Sequence, residues 1–370
     1  MTPKTTIRQK EILTSIVAIS LMLGSLSAGE VLLRVQQFIA FGAALNVEQA
    51  DAFRIDENIG VRLPIAGGRQ GQVEFNRWGF RSPDLDFKPP EGAIRIAFLG
   101  TSTTVDAYAR LETSWPHLTI ERLKERFPRC VWEYINAGSP TLNVATTKRL
   151  FESRVAPLKP QIAIILLTER NADVFRLAEQ KGLLEDDLYR PYRPSWLAQH
   201  SLVWSKLEKN AYGIRLQRAL FSDAHKLIEF PSDLTAHFEA RLSDLVDSAQ
   251  AAGALVVLLE SQGYLREEQA EKEQATALRS AVLYMPYLSV RGFLTTEQFY
   301  KEAVNRVGSK HGALVVAVDD VVPANDRHFV DSSHFLPPGS RVFADYLAQR
   351  LSEAPGIQAL ADHCADQRDK

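Results

Sequence analysis

IRIAFLGTSTT, residues 94–104, is the stretch on which the fold turns. It opens with a short and mostly apolar run at 94–99, and four more such runs follow at 131–135, 162–167, 254–259 and 313–318. Runs of this length with continuous rather than alternating hydrophobicity suit strands covered on both faces, as in a parallel sheet. Helix-length segments separate them: 114–126, opened by Ser114 and carrying Leu118 and Leu123, then about 232–252, then 295–310. AAGALVV at 251–257 and KHGALVV at 310–316 each set a Gly between helix and strand, where a left-handed C-cap calls for one. The order predicts an α/β domain on a five-stranded parallel sheet.

The rest of the chain bounds what this domain does. Its 370 residues, 45% hydrophobic and 24% charged, exclude a disordered or fibrous protein. Lys+Arg 43 against Asp+Glu 45 gives a net charge of −2, so there is no basic field to hold a nucleic acid. Cys130 and Cys364 form no CxxC pair, which excludes a cysteine-rich zinc module and leaves room for one long disulfide. A mean hydropathy of −0.15 excludes a polytopic membrane protein.

That average hides residues 12–29 (ILTSIVAISLMLGSLSAG), which carry no charge. As a helix they reach about 27 Å, close to the hydrocarbon thickness of a bilayer. Lys4, Arg8 and Lys10 precede them and favour a cytoplasmic N-terminus. Ser25 and Ser27 are small enough for a cleavage site, yet Val31, Leu32, Leu33 and Val35 continue the apolar character, so an uncleaved anchor is expected. The chain then divides into a stub and anchor at 1–35, a loop-rich extension at 36–92 with a hairpin near 72–80, a main domain at 93–353 and a tail at 354–370. The main domain would lie on the extracytoplasmic side. Its insertion at about 172–230, rich in Tyr, Trp and Arg, suits either aromatic packing or a substrate-binding lid. The charged segment 265–281 reads as a solvated helix.

Ligands of parallel α/β sheets gather at the carboxyl ends of the strands. After the first strand comes Gly100-Thr101-Ser102, a tight turn that would expose the Ser102 hydroxyl. After the fifth comes DSSHFLPPG, 331–339, leading into an amphipathic helix at 340–351. An acid and a His three positions apart can serve one nucleophile: the carboxylate fixes the imidazole tautomer and the imidazole takes the hydroxyl proton. His328 in the same loop is a competing base. No metal or nucleotide cofactor is expected, because the histidines show no HxxxH-type cluster and GTSTT lacks the Lys of a phosphate loop.

IRIAFLGTSTT, INAGSPT (135–141), LLTERNAD (166–173) and DSSHFLPPGSRVFADYL (331–347) resemble, in order, the four blocks of the SGNH/GDSL hydrolases. NRWGFRSPDL (76–85) resembles the lead-in of membrane-anchored members. The resemblance implies a three-layer flavodoxin-like sandwich and no cofactor. It also implies a nucleophile at Ser102, a base at His334, an orienting acid at Asp331 and an oxyanion hole from the Ser102 and Gly138 amides with the Asn171 side chain. Two departures stand out: Thr101 replaces the usual Asp of the first block, and Glu169-Arg170-Asn171-Ala172 replaces Gly-x-Asn-Asp in the third. Thr101, Glu169 and Arg170 thereby become candidate substrate contacts. The implied activity is hydrolysis or transfer of an acyl group on a small molecule, glycan or lipid of the cell envelope, with the membrane engaged through 12–29. A catalytically silent envelope-binding or assembly module is the alternative.

Overall fold

The computed structural model describes residues 3–41, 52–185, 192–221, 226–318 and 320–368. Helix α1 (Pro3–Phe41) precedes two small hairpins, β1 (Phe53–Asp56) with β2 (Val61–Pro64) and β3 (Arg69–Gln70) with β4 (Val73–Glu74). There follow β5 (Ala93–Gly100), α2 (Ser102–Val105), α3 (Trp115–Arg126), β6 (Val131–Asn136), α4 (Val144–Leu150), β7 (Ile162–Leu166) and α5 (Arg170–Gln180). After α6 (Trp196–His200) and α7 (Leu202–Arg218) come α8 (Ala236–Ala251), β8 (Leu255–Leu259), α9 (Glu271–Ala277), α10 (Val290–His311), β9 (Leu314–Val316), α11 (Pro337–Glu353) and α12 (Pro355–Arg368).

These elements form two compact units, one holding α1 with the described part of 191–214 and the other holding the remainder. In the larger unit the five strands of the main sheet all pair parallel, in the order β6-β5-β7-β8-β9. This is the flavodoxin-like order, and the chain reverses direction across the sheet between β5 and β7. Alternate strand residues feed two cores. Ala97, Leu99, Ile135 and Ile165 pack with residues of α4, α8 and α10, whereas Ile96, Phe98, Tyr134 and Ile164 pack with α3, α11 and α12. Burying each such aliphatic or aromatic side chain contributes about 1.5–3 kcal/mol, so both faces must be covered for the sheet to stand.

Arg95 interrupts the apolar run of β5 and is wholly buried. It is tolerated because its guanidinium is saturated: it donates to Glu133 at 2.7 and 3.1 Å, to the Leu158 carbonyl at 2.6 Å, and to the carbonyls of Phe87 and Asp86. Breaking one side of a buried pair costs several kcal/mol, which fixes the register of β5 against β6.

The strand expectations hold to within a residue or two, and Gly253 and Gly312 adopt the left-handed conformation, at φ 87° and 61°. Elsewhere the structure differs. The expected tail is largely α12, whose Ile357, Ala361 and Cys364 are buried at helical spacing. Within 265–281 only Glu271–Ala277 is helical, because Gln269 and Gln274 spend their amides on the carbonyls of Tyr264, Arg266 and Glu267 and hold a turn there. No disulfide joins the cysteines: the Cys130 thiol donates to the Ala361 carbonyl at 3.2 Å and that of Cys364 to the Gly92 carbonyl at 2.8 Å. In the smaller unit, Glu11–Ile39 of α1 is long and apolar enough to cross a membrane.

Candidate active site

Gly100 closes β5 because nothing larger fits: a Cβ there would fall on the Thr104 hydroxyl and lie 2.5 Å from the Leu166 carbonyl oxygen. Thr101 is extended, at φ −100° and ψ −150°, and the chain turns directly into the single turn of α2 with Ser102 at its first position. Amides in a first helical turn have no acceptor inside the helix, so the Ser102 N–H is a donor available to a ligand.

Three buried groups clamp this turn. Arg81, from the lead-in stretch, donates to the carbonyls of Val105, Asp106 and Ala109, the last two at 2.6 Å. Asn136 Nδ2 donates to the Thr104 carbonyl at 2.8 Å. Asp106, left-handed at φ 55°, accepts on Oδ2 from the Trp115 amide and the Ser340 hydroxyl, each at 2.8 Å. Ser340 lies in α11, the helix that follows the His334 loop, so Asp106 joins the Ser102 turn to the far end of the chain. Its burial pushes its carboxyl up to about 6, against the opposing pull of the Trp115 amide, the Ser340 hydroxyl and the Arg81 and His334 charges.

The second loop is built on Asp331. Its Oδ1 accepts from the amides of Ser333 and His334, both at 2.9 Å, which folds the loop so that His334 points back over its own acid. His334 Nδ1 lies 2.9 Å from Asp331 Oδ2, and His334 Nε2 lies 2.8 Å from Ser102 Oγ. A proton on Nδ1, facing the carboxylate, leaves Nε2 as the acceptor for the Ser102 hydroxyl. Burial raises the Asp331 carboxyl, but the hydrogen bond and charge of His334 and the two loop amides outweigh it and hold the group below its ordinary range. The Tyr108 ring meets the imidazole edge-on, with centroids 5.6 Å apart.

His328 does not take this place. Its Nδ1 is 2.8 Å from Asn325 Oδ1 and its carbonyl accepts the Leu336 amide, so it shapes the loop that presents His334. The oxyanion candidates are less convergent. Gly138 needs to be Gly, since a Cβ would lie 2.8 Å from the Val105 amide, but its N–H already donates to Asn136 Oδ1 at 3.1 Å. That bond ties Gly138 to Asn136, the same side chain that clamps the Ser102 turn through the Thr104 carbonyl. Asn171 stands exposed in the first turn of α5.

The charges of the third block pair neither with each other nor toward solvent. Glu169 is buried, accepting the Val144 amide at 3.0 Å and bridging Arg241 at 2.7 Å, so it is not placed as a substrate contact. Arg170 pairs with Glu297, whose other oxygen accepts the Ser261 hydroxyl at 2.9 Å. Arg170 does line a cavity of about 600 Å³ with Arg266, Arg291, Phe293, Glu297 and Ser332, the neighbour of Asp331. Among the described residues no three His, Cys, Asp or Glu side chains gather to hold a metal.

Arg81, Asp106 and Ser340 went unmarked in the sequence. Asp106 had one available signal, an acid four positions beyond Ser102 and inside the same turn.

No family model and no curated protein matches the chain. Among solved structures, an acetylxylan esterase from Geobacillus stearothermophilus is similar at 15% identity and a TM-score of 0.41, over 70% of this chain and 96% of that one. The esterase EstA from a Pseudoalteromonas species is similar at 13% identity and a TM-score of 0.40, over 70% and 97%. What this chain does has to follow from its own side chains.

Proposed function

We propose that the protein is a serine ester hydrolase of the SGNH/GDSL type, held at a membrane by α1 and acting on an acylated glycan or lipid of the cell envelope. The observation that carries this is the continuous row Ser102 Oγ, His334 Nε2, His334 Nδ1, Asp331 Oδ2, with contacts of 2.8 and 2.9 Å at the carboxyl end of a flavodoxin-like sheet. As His334 Nε2 takes its proton, Ser102 Oγ bonds to the ester carbonyl carbon and the carbonyl π electrons move to oxygen. Asp331 stabilises the imidazolium without taking the proton. The Ser102 amide and the Asn171 side chain donate to the new oxyanion. Collapse breaks the bond to the alkoxy group, which leaves with the His334 proton, and an acyl-Ser102 ester is left. Water, or an acceptor hydroxyl in a transferase, gives its proton to His334 and attacks that ester, and Ser102 is restored.

Support for a glycan or lipid substrate comes from the apolar stretch of α1, which would hold the site near the envelope, and from the cavity beside Ser332, whose lining mixes paired charges with aromatic surface. The test is labelling of the full chain with a fluorophosphonate. Wild type is expected to label, and Ser102→Ala and His334→Ala to lose labelling. A folded wild type that does not label overturns the hydrolase and leaves the catalytically silent module.

A further inference from the structure

Glu30 is the first charged residue after the uncharged run 12–29, and its side chain is spent on the insertion. Its carboxylate accepts from the Leu202 amide at 3.1 Å, the Val203 amide at 3.0 Å and the Ser201 hydroxyl at 3.0 Å, while Arg34 bridges it at 2.7 Å from the next turn of α1. The first amides of α7, which have no acceptor within their own helix, are thus satisfied by α1. Gly29 faces the Val203 side chain across the same contact. Helix α7 therefore begins at the level where the uncharged run of α1 ends and its first charges, Glu30 and Arg34, appear.

From that point the insertion shows apolar surface to solvent. Trp204, Leu207, Ala211 and Ile214 recur at spacings of three, four and three residues, which is one face of a helix, and all four are exposed. In α6, Trp196 is 69% and Leu197 46% exposed. Glu208 accepts from the Ser195 amide and hydroxyl, the Tyr192 hydroxyl and the Trp204 indole. Between 192 and 221 the sequence carries Arg193, Lys206, Lys209, Arg215 and Arg218 against that single acid. Exposed Trp and Leu beside a basic surface, pinned to the end of a membrane-length helix, match the chemistry of a headgroup layer containing anionic lipid.

We infer that residues 195–214 lie in the headgroup region of the membrane that α1 crosses, with Trp196, Leu197, Trp204, Leu207 and Ile214 against the acyl boundary. This rests on the membrane-anchor part of the proposed function and is independent of the ester chemistry. A lipid is favoured over a protein partner because the stripe starts one residue past the contacts of Glu30 with Ser201, Leu202 and Val203, where the uncharged run of α1 ends: whatever covers its first turn lies beside that run.

The test uses the full chain reconstituted in phosphatidylcholine vesicles containing phosphatidylglycerol, with acyl chains brominated at a shallow or a deep position. Five tryptophans emit, so wild type is compared with Trp196→Phe/Trp204→Phe, a conservative pair outside the catalytic row that leaves esterase turnover unchanged. Shallow bromines are expected to quench a component of wild-type emission that the double variant lacks, and deep bromines to quench it less. Glu30→Ala is expected to diminish that component by releasing the start of α7. Equal quenching of wild type and double variant, in protein that floats with the vesicles, overturns the inference and leaves the anchor standing. Protein that does not float with vesicles overturns both.

Discussion

The two halves of the candidate site are built to different standards. The proton-transfer half is over-determined: Ser102 is held by Gly100, Arg81, Asn136 and Asp106, His334 by Asp331 and Tyr108, and the Asp106–Ser340 bond joins the two loops. The oxyanion half is sparse. Gly138 has spent its amide on Asn136, Glu169 has turned inward to Arg241, and Asn171 stands exposed, which leaves the Ser102 amide as the donor already in place. A hydroxyl needs its base at hydrogen-bond distance before any reaction, whereas an oxyanion exists only after attack, so the two halves are needed at different moments.

Breaking the tight half is expected to cost most. Ser102→Ala should lower kcat on a short-chain chromogenic ester by about 10⁴-fold or more, because acyl transfer through the enzyme is then impossible. Asp331→Asn keeps the shape and loses the charge that holds the Nδ1 proton. Its kcat should fall by about 10³- to 10⁴-fold with KM nearly unchanged. Asn171→Ala sharpens the contrast: loss of one oxyanion donor costs on the order of 100-fold in kcat, and an unaltered rate would show that the exposed side chain never reaches the oxygen.

The remaining effect is on stability rather than on rate. The Asp106 carboxyl is raised in the fold, so the folded state holds its proton between about 4 and 6 where the unfolded chain has lost it. That contribution is present at low pH and fades as pH rises through about 6, to a total of about 3 kcal/mol for a shift of this size. Asp106→Asn, a neutral mimic, should flatten the fall in Tm from pH 4 to 6.5. Asp331 has the opposite sign: its depressed carboxyl stabilises the fold above its unfolded range and loses that contribution as pH falls below it. An unchanged Tm profile in Asp106→Asn would remove Asp106 from the clamp.

The sheet was legible because its strands are buried on both faces, and continuous apolar runs such as 162–167 then mark both position and length. Ser102, Asp331 and His334 were legible because the chemistry needs those residue types at strand ends. What escaped notice depends on partners distant in the chain. Asp106 is an ordinary turn acid until Ser340 is brought to it, Arg81 an ordinary arginine until three carbonyls converge on it, and Glu169 a candidate substrate contact until Arg241 and the Val144 amide take its oxygens. The C-terminal helix was missed because its apolar residues are few, small and spaced among charges, although Ala361 and Cys364 fit the core closely.

Ser102 and His334 stand 232 positions apart, and α3 and α11, which follow their loops, pack together. In a chain synthesised from its N-terminus, the serine is made well before its base. Throughout that interval it is chemically an ordinary alcohol.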